Sequence, residues 1–445
     1  MRRQVLIIGA GASGLMAAIH AARAGALVTL LEHKEQAGKK ILSTGNGRCN
    51  LTNLDQREEY YRCSQKGFPQ SVLTRFTVED TLDFFEGLGI VPKSRNGYIY
   101  PNSDQASSVL EALLLETKGL GVKILYECRV HKIEKREGRF CVSSSQGEYL
   151  ADALILAAGS KAAPVTGSDG SGYELAAALG HKVITPLPAL VQLRCREPYY
   201  RQLAGVRTEA RLSLFADQTF LAGERGELQL TDYGISGIPT FQVSRYACAA
   251  LHRKQKVTVT IDFLPHMSEK EAEEFLGRRR QSLGERTCGQ WMNGLLNRKL
   301  SLVLLKLSGI EKDEKINGLS PRQWDRLLRQ ITAYETTVIA ANPFENAQVC
   351  CGGVDTRQIY EGTLESRLVR DLYFCGEILD VDGCCGGYNL QWAWSSGAAA
   401  GTSAAGSGNG VKSSPRGTGH RAAAADGTVQ KEPGRFHNKK RKGRT

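Results

Sequence analysis

The first 32 residues of this chain contain a pattern that few folds accommodate. The apolar run Gln4–Ile8 leads into Gly-Ala-Gly-Ala-Ser-Gly at positions 9–14, and an apolar stretch of helical character follows. A second apolar run, Leu27–Leu31, ends at Glu32. This order predicts a strand, a tight glycine turn, a helix and a second parallel strand that ends at a carboxylate.

Each glycine of the turn has a separate predicted task. Gly9 permits the sharp turn after the strand, Gly11 lets the backbone approach a diphosphate, and Gly14 lets the helix pack closely on the strand. Free N–H groups and the positive dipole at the helix N-terminus attract phosphate. Glu32 can accept hydrogen bonds from a ribose diol and would repel a 2′-phosphate, so the pattern favours FAD or NAD over NADP at this site.

Composition narrows the class of protein. Of 445 residues, 41% are hydrophobic, which is enough for a substantial core, and we find no apolar stretch long enough for a membrane helix. The twelve cysteines form no CxxC pair and no spacing typical of metal ligands. We therefore expect a cytoplasmic protein with reduced thiols, no membrane span and no metal site.

The positive charge is concentrated at the C-terminal end. The chain carries a net charge of +12; residues 403–445 hold ten Lys or Arg and two acidic residues, which is +8 and leaves +4 for the rest. This composition predicts a disordered basic tail. It could contact nucleic acid or an acidic surface, or be a solvated tail without a catalytic role. The second interpretation is favoured because Phe436 is the only aromatic residue available for base stacking.

Two loops beside the predicted dinucleotide site are rich in glycine and amides. Loop 33–53 combines lysines with Asn46, Gly47 and Asn50, which suits contacts with phosphate, ribose or a flavin edge; the alternative is a surface loop of turn-forming residues. Loop 380–391 follows a predicted strand at 371–377 and leads into a predicted helix. A glycine turn before a helix supplies backbone donors for a second negatively charged group.

Between these loops the pattern changes twice. Residues 152–159 read as a returning parallel strand that ends at Gly159, and 121–134 read as a pair of strands. Short alternating runs in 190–265 predict an antiparallel sheet or barrel, whereas 268–332 has helical periodicity. Segment 231–237 could face a ligand across the domain cleft or begin a helix at Ile238 and Pro239.

These motifs together resemble the BaiN-like FAD-binding oxidoreductases, also called aminoacetone-oxidase-family flavoproteins, over residues 1–402. The resemblance rests on the glycine turn at 9–14, Gly-Arg-Cys-Asn-Leu-Thr-Asn at 47–53, Gly-Gly-Val at 352–354, Gly-Glu at 376–377 and Gly-Gly-Tyr-Asn-Leu-Gln-Trp at 386–392.

The resemblance implies an α/β fold in which a Rossmann-like FAD/NAD(P)-binding domain is interrupted by a β-rich, barrel-like insert and a small helical domain. The expected boundaries are 1–188 and 351–402 for the FAD-binding domain, 189–266 with 333–350 for the insert, 267–332 for the helical part and 403–445 for the tail.

The resemblance also implies contacts with FAD, residue by residue. The pyrophosphate would lie at Gly9, Gly11, Ser13 and Gly14, the adenosine ribose at Glu32, and the adenine at the backbone of Val130. The pyrophosphate and flavin side would be lined by Lys40, Asn46, Gly47 and Asn50, the ribityl phosphate by Gly376 and Glu377, and the flavin pyrimidine edge by Asn389 and Leu390. Gly159 adds a backbone contact at the end of its strand.

The implied activity is an FAD-dependent oxidoreductase that acts on a small molecule, in the first place a reductase of an unsaturated alicyclic or steroid-like ketone of the bile-acid type. Because the chain has one complete dinucleotide fingerprint, we expect NAD(P)H to bind only transiently as the electron donor. Three alternatives stay open: an FAD-dependent oxidase of small amines, a flavin-dependent RNA-associated protein, and a flavin-binding structural or sensing module without turnover. No residue pattern identifies the catalytic acid or the oligomeric state.

Overall fold

The structure is a computed structural model that describes residues 2–406, so the predicted basic tail lies outside the described residues except for its first four positions. The helices are α1 Ala12–Arg23, α2 Lys39–Ser43, α3 Phe68–Leu73, α4 Val78–Gly87, α5 Ala106–Gly119, α6 Ser171–Ala178, α7 Tyr200–Leu203, α8 Ile238–His252, α9 Glu269–Ser282, α10 Cys288–Met292, α11 Arg298–Leu307, α12 Pro321–Thr332 and α13 Tyr388–Ala404. The strands are β1 Gln4–Ile8, β2 Leu27–Leu31, β3 Thr52–Asn53, β4 Tyr61–Cys63, β5 Pro92–Arg95, β6 Tyr98–Pro101, β7 Lys123–Leu125, β8 Val130–Arg136, β9 Arg139–Ser144, β10 Gly147–Ala151, β11 Ala153–Leu156, β12 Val183–Ala189, β13 Leu193–Cys195, β14 Arg207–Ala216, β15 Thr219–Leu230, β16 Gly234–Gly237, β17 Val257–Asp262, β18 Tyr334–Ala341, β19 Val349–Val354, β20 Leu372–Phe374 and β21 Val381–Gly383.

A five-stranded sheet of order β20-β11-β1-β2-β7 forms the Rossmann part, and each of its pairs is parallel. All four residues of β11 are fully buried, as expected for a central strand covered on both faces. Helix α13, near the end of the described chain, lies against α1. The contact is close because a Cβ at Gly401 would overlap the carbonyl oxygen of Ala17.

The predicted β-rich insert is a closed barrel of order β13-β16-β15-β14-β17-β18, in which neighbouring strands are antiparallel. Buried residues alternate with more exposed ones along its strands. Leu212 and Leu214 of β14 and Val259 and Ile261 of β17 fill the interior. The predicted fold class, a Rossmann-like domain with a barrel-like insert, is therefore confirmed.

Helices α9 to α12 pack on the barrel and share one apolar cluster with it. Trp291, Leu304 and Leu327 of the helices belong to the same cluster as Leu212 and Val259 of the barrel. The N-termini of three of these helices, α9, α10 and α12, carry capping boxes. The helices and the barrel thus form one packed unit.

One predicted pairing was wrong. Segment 121–134 does contain two strands, β7 and β8, but they do not pair with each other. Strand β7 adds in parallel to β2, and β8 pairs with β9 in a separate three-stranded sheet. Without β7, strand β2 would be an edge strand with unpaired backbone N–H and C=O groups. Pairing β7 with β2 satisfies these groups, which a local hairpin of β7 with β8 would not do.

Among the described residues, we find no helix with the length and apolar character needed to span a membrane. All twelve cysteines lie in the described part of the chain, and each is a free thiol.

Candidate functional site

A cavity of about 690 Å³ lies between the Rossmann part and the barrel. Its wall includes the turn between β1 and α1, the end of β2, helix α2 with the loop that follows, and the end of β11. The barrel side contributes the first turn of α8, and residues 384–390 complete the wall at the start of α13. The volume lies within the range of pockets that hold cofactors and other small molecules.

The three glycines of the turn behave as predicted from their spacing. Gly9 has a φ of +103°, and a Cβ there would collide with the carbonyl group of Ala157. A Cβ at Gly14 would overlap the carbonyl oxygen of Gly9. Gly11 differs, because open space surrounds its missing side chain on the cavity wall. This open side and the adjacent N-terminus of α1 fit a diphosphate that approaches the backbone.

Glu32 ties the end of β2 to the glycine turn. Its Oε2 accepts a hydrogen bond from the N–H of Ala10 at 2.8 Å, and Oε1 accepts one from the N–H of Lys34 at 2.8 Å. The residue is buried but lines the cavity. Its carboxylate is therefore held where a ribose beside the diphosphate can reach it, which fits the adenosine half of FAD.

Lys40 and Glu377, both predicted contacts, meet across the cavity. The Nζ of Lys40 lies 2.6 Å from Oε2 of Glu377, which also accepts a hydrogen bond of 2.9 Å from Ser160 Oγ. Ser160 was not predicted, although it directly follows the predicted contact Gly159. The lysine supplies a positive charge next to the region that fits the diphosphate.

The loop after α2 has an unusual backbone. Gly45, Asn46, Gly47 and Cys49 all have positive φ values, of 56°, 56°, 82° and 59°. Such a conformation turns successive backbone groups toward one side of the loop. Asn50 follows this turn; in the amide orientation that satisfies both of its atoms, its oxygen accepts from the N–H of Gly387 at 3.2 Å. The two glycine-rich loops of the sequence are thus in direct contact.

Asn389 stabilises the second of these loops from within. Its Oδ1 accepts from the N–H of Gly383 at 2.8 Å, while Nδ2 donates to the carbonyl oxygens of Gly383 and Cys384 at 3.0 and 3.2 Å. Asn389 was predicted to lie at the flavin edge, and it does line the cavity. Its side-chain amide, however, makes its hydrogen bonds to the backbone of its own loop.

Twelve of the fifteen predicted contacts lie on the cavity wall: Gly9, Gly11, Ser13, Glu32, Lys40, Asn46, Asn50, Val130, Gly159, Glu377, Asn389 and Leu390. Gly14, Gly47 and Gly376 do not line it, and their contacts with FAD stay predictions. Gly14 and Gly376 are packing residues: the first meets Gly9, and a Cβ at the second would overlap Ser13 Oγ. Gly47 supplies a positive φ behind the wall.

A cluster beside Glu32 escaped the sequence analysis. His33 Nδ1 lies 3.4 Å from Glu32 Oε1, and the Asp169 carboxylate accepts from Arg129 at 3.0 Å and from Ser171 Oγ at 2.6 Å. Burial alone would raise the pKa of Asp169, but these hydrogen bonds outweigh it and lower the pKa to about 2. Burial also lowers the pKa of His33. The available sequence signal was the position of His33 directly after Glu32.

One part of the cavity wall is apolar and lies next to the polar residues Glu345, Asn346 and Gln348. Leu190, Phe241, Val349 and Cys385 pack together, and Ile238 of α8 borders the same space with 56% of its surface exposed. Burial raises the pKa of Cys385 to about 12, so its thiol is neutral near pH 7. We call Leu190, Ile238, Phe241, Val349 and Cys385 the apolar wall.

For segment 231–237 the structure shows the helix start. Strand β16 ends at Gly237, whose φ of 96° starts α8, and Pro239 lies in the first helical turn, as the helix-start alternative predicted. Residues 231–237 are not part of the cavity wall, which α8 reaches through Ile238 and Phe241 instead.

Comparison with known proteins identifies the family. The family model described as the HI0933-like protein Rossmann domain matches residues 3–403. The chain belongs to this family. Membership confirms the predicted FAD-binding oxidoreductase resemblance, and the cavity geometry fits FAD as the cofactor.

Members of the family with assigned activities align along nearly their whole length. A 3-dehydro-bile acid delta(4,6)-reductase from Clostridium scindens is 45% identical over 401 residues, which covers 90% of this chain and 98% of that protein. Ribosomal RNA dihydrouridine synthases from Haemophilus influenzae and Escherichia coli are 32% and 30% identical. Those alignments cover 88% and 89% of this chain and 96% of each relative.

Proposed function

We propose that this protein uses FAD to reduce a carbon–carbon double bond conjugated to a carbonyl group, with a 3-oxo-4-ene alicyclic compound of the bile-acid type as its substrate. The observation that carries the proposal is the 45% identity to a reductase of this kind over 90% of the chain. The dihydrouridine synthases point to the same class of bond, because dihydrouridine is uridine with its conjugated C5–C6 double bond reduced.

The apolar wall supports an alicyclic substrate over a nucleobase. Ile238 and Phe241 present carbon surface to the cavity, and Leu190 and Val349 continue it. Covering this surface with fused saturated rings is favourable by about 25 cal/mol per Å². A nucleobase would need hydrogen bonds from neighbouring polar residues such as Asn346 and Gln348, because polar atoms left against carbon cost free energy.

The residues of the cavity have separable roles in such a reaction. Bound FAD would supply hydride chemistry, with a hydride from NADH or NADPH passed to the electron-poor carbon and a proton from solvent completing the reduction of the double bond. The glycine turn and the N-terminus of α1 bind the diphosphate, and Glu32 orients the ribose. The apolar wall excludes water from the substrate, and Cys385 keeps its proton on Sγ at neutral pH because burial raises its pKa to about 12.

The electron donor in this proposal is NADH or NADPH. The single dinucleotide fingerprint serves FAD. The nicotinamide cofactor would therefore bind transiently and dissociate before the substrate binds. Twelve free thiols support a reducing compartment, and we propose the cytoplasm as the location.

An anaerobic titration of the FAD-loaded protein tests the proposal. NADH or NADPH should bleach the flavin absorbance, and a 3-oxo-4-ene steroid acid should restore it with formation of a product two hydrogens heavier. The matched saturated ketone should leave the flavin bleached. Bleaching by a small amine, with peroxide formed in air and no reaction with the enone, would contradict the proposal and indicate an amine oxidase.

A second candidate is reduction of uridine in ribosomal RNA. It is favoured by the two dihydrouridine synthases among the relatives and by the net charge of +8 in residues 403–445. Incubation of the reduced protein with unmodified ribosomal RNA, followed by mass spectrometry of nucleosides, tests it. Formation of dihydrouridine without reduction of the enone would contradict the bile-acid proposal and support reduction of uridine in ribosomal RNA.

A further inference from the structure

One face of α8 contacts both the cavity and the loop that precedes α13. Ile238 and Phe241, in the first turn, belong to the apolar wall. Gln242, Arg245 and Tyr246 follow at spacings of three or four residues, so they lie along the same side of the helix. Each of these three side chains makes a polar contact with the Rossmann part, and Tyr246 also packs against the barrel cluster.

The loop 382–387 is held in place mainly by its own domain. Asn389 binds the backbone of Gly383 and Cys384, and the N–H of Cys384 donates to the carbonyl oxygen of Tyr60 at 2.9 Å. Asn53 Nδ2 donates to the carbonyl oxygen of Gly386 at 3.1 Å. The loop therefore has a defined shape where it begins α13, the helix whose first residues line the cavity.

Two further contacts of this loop come from α8. The N–H of Cys385 donates to Gln242 Oε1 at 3.1 Å, and the guanidinium of Arg245 lies 2.9 Å from Asp382 Oδ1. The Asp382 carboxylate is 3% exposed, and a buried carboxylate without a counter-charge is strongly unfavourable. Arg245 is its ion-pair partner, and Arg62 is a second positive charge nearby. Burial raises the pKa of Asp382, and Arg245 opposes that shift.

A third contact joins the same helix to the neighbouring strand. Arg62 of β4 donates from Nε to the hydroxyl oxygen of Tyr246 at 3.4 Å. Strand β4 pairs with β21, which ends at Gly383 directly before the cysteines of the loop. The position of α8 is thus connected to the loop through Gln242, Arg245 and Tyr246.

We propose that Gln242 and Arg245 are positioning residues that set loop 382–387, and with it the N-terminus of α13, against the flavin ring. The positive end of α13 stabilises the negative charge that the flavin gains on reduction, so a displaced loop makes reduction less favourable. The same helix presents Ile238 and Phe241 to the substrate space, which places substrate contact and flavin tuning on one rigid element. The inference rests on FAD binding in this cavity and does not depend on which substrate is reduced.

The midpoint potential of the bound flavin tests the proposal. FAD-loaded parent and Arg245→Gln proteins are titrated anaerobically with dithionite beside a reference dye. The variant should have a more negative potential, with the equilibrium constant for reduction about fivefold less favourable. Arg245→Lys, which keeps the charge beside Asp382, should recover most of the parent potential.

Arg253→Gln is the matched control, because it is the same exchange in an exposed residue just after the end of α8. It should leave the potential unchanged. Gln242→Met is a second test that removes one neutral hydrogen-bond acceptor, and it should shift the potential in the same direction as Arg245→Gln even if the latter fails to fold.

An unchanged potential in folded Arg245→Gln, or in Gln242→Met when Arg245→Gln is unfolded, would overturn the proposal. A variant with lower thermal stability or lower FAD content, but an unchanged potential of the flavin that remains bound, would also overturn it. That result would indicate that the residue has a structural role only. The titration contains no organic substrate. A failed search for enone reduction would therefore count against the proposed function and leave this inference standing.

Discussion

At the scale of single residues, Glu32 links three parts of the site with one carboxylate. It accepts from the N–H groups of Ala10 and Lys34 and lies beside His33. The sequence predicted this residue because it falls at a set distance after the glycine turn. It could not predict that Asp169 approaches His33 or that Ser160 donates to Glu377, since the two residues of each pair are far apart in the sequence.

Glu32→Gln should weaken FAD binding by about tenfold or more, because an amide cannot accept charge-assisted hydrogen bonds on both sides. The dissociation constant, measured from flavin fluorescence, checks this. Glu35→Gln is the control: Glu35 is exposed, pairs with Lys39, and should bind FAD like the parent protein. Equal affinity in Glu32→Gln would show that the carboxylate does not orient the ribose.

Burial of His20 makes the stability of the protein depend on pH. His20 lies on α1 beside Phe76 and Phe84, with ring centroids at 5.4 and 5.7 Å. Burial, with a smaller effect of Arg23, lowers its pKa from 6.5 to about 4. Between these values the folded protein binds fewer protons than the unfolded chain, so this contribution to stability is present above pH 6.5 and is lost as the pH falls toward 4.

Through this effect of His20, the free energy of unfolding should be about 3 kcal/mol lower near pH 4 than above pH 6.5. Urea unfolding at pH 7 and pH 4.5 measures it, and His20→Met should show a smaller difference between the two conditions. His252→Gln, an exposed histidine at the end of α8, is the control. An equal pH dependence in His20→Met and the parent would assign the effect to other groups.

At the scale of elements, the packing of α1 on α13 decides whether the two distant parts of the Rossmann domain assemble. Residues 9–14 and 388–404 carried separate motifs in the sequence, and both were identified. Only the structure shows why α13 is rich in small residues: Gly397 and Gly401 lie against the backbone of α1. Periodicity reports which face of a helix is apolar, but not which helix will meet it.

Gly401→Ala should destabilise the protein by about 1–3 kcal/mol, because the new Cβ would overlap the carbonyl oxygen of Ala17. Gly277→Ala on α9 is the matched exchange in open space and should be neutral or stabilising by about 0.5–1 kcal/mol. Thermal unfolding of both variants gives the comparison. Equal melting temperatures would mean that the two helices can move apart without cost.

At the scale of the whole molecule, the barrel completes a cavity that the Rossmann part begins. The barrel's helix α8 contributes Ile238 and Phe241 to the apolar wall, and α8 also contacts the loop before α13. The residues 407–445 add most of the net charge but belong to no described element.

Removal of residues 407–445 should leave FAD content and enone reduction unchanged, because the cavity wall consists of residues 8–393. Affinity for RNA should fall, and its dependence on salt should become shallower as the net +8 of the tail is lost. Filter binding at several salt concentrations measures this change. A loss of FAD from the shortened protein would show that the tail contributes to the site.

The sequence alone determined the dinucleotide turn, the acidic partner at Glu32, the family and the order of β-rich and helical segments, because each depends on residues close together in the chain or on local periodicity. Tertiary structure decided the rest. It paired Lys40 with Glu377, gave β7 and β8 different partners, packed Gly376 against Ser13, and connected α8 both to the cavity and to the loop before α13. These contacts join residues that are far apart in the chain, so they are specified only when the whole core packs.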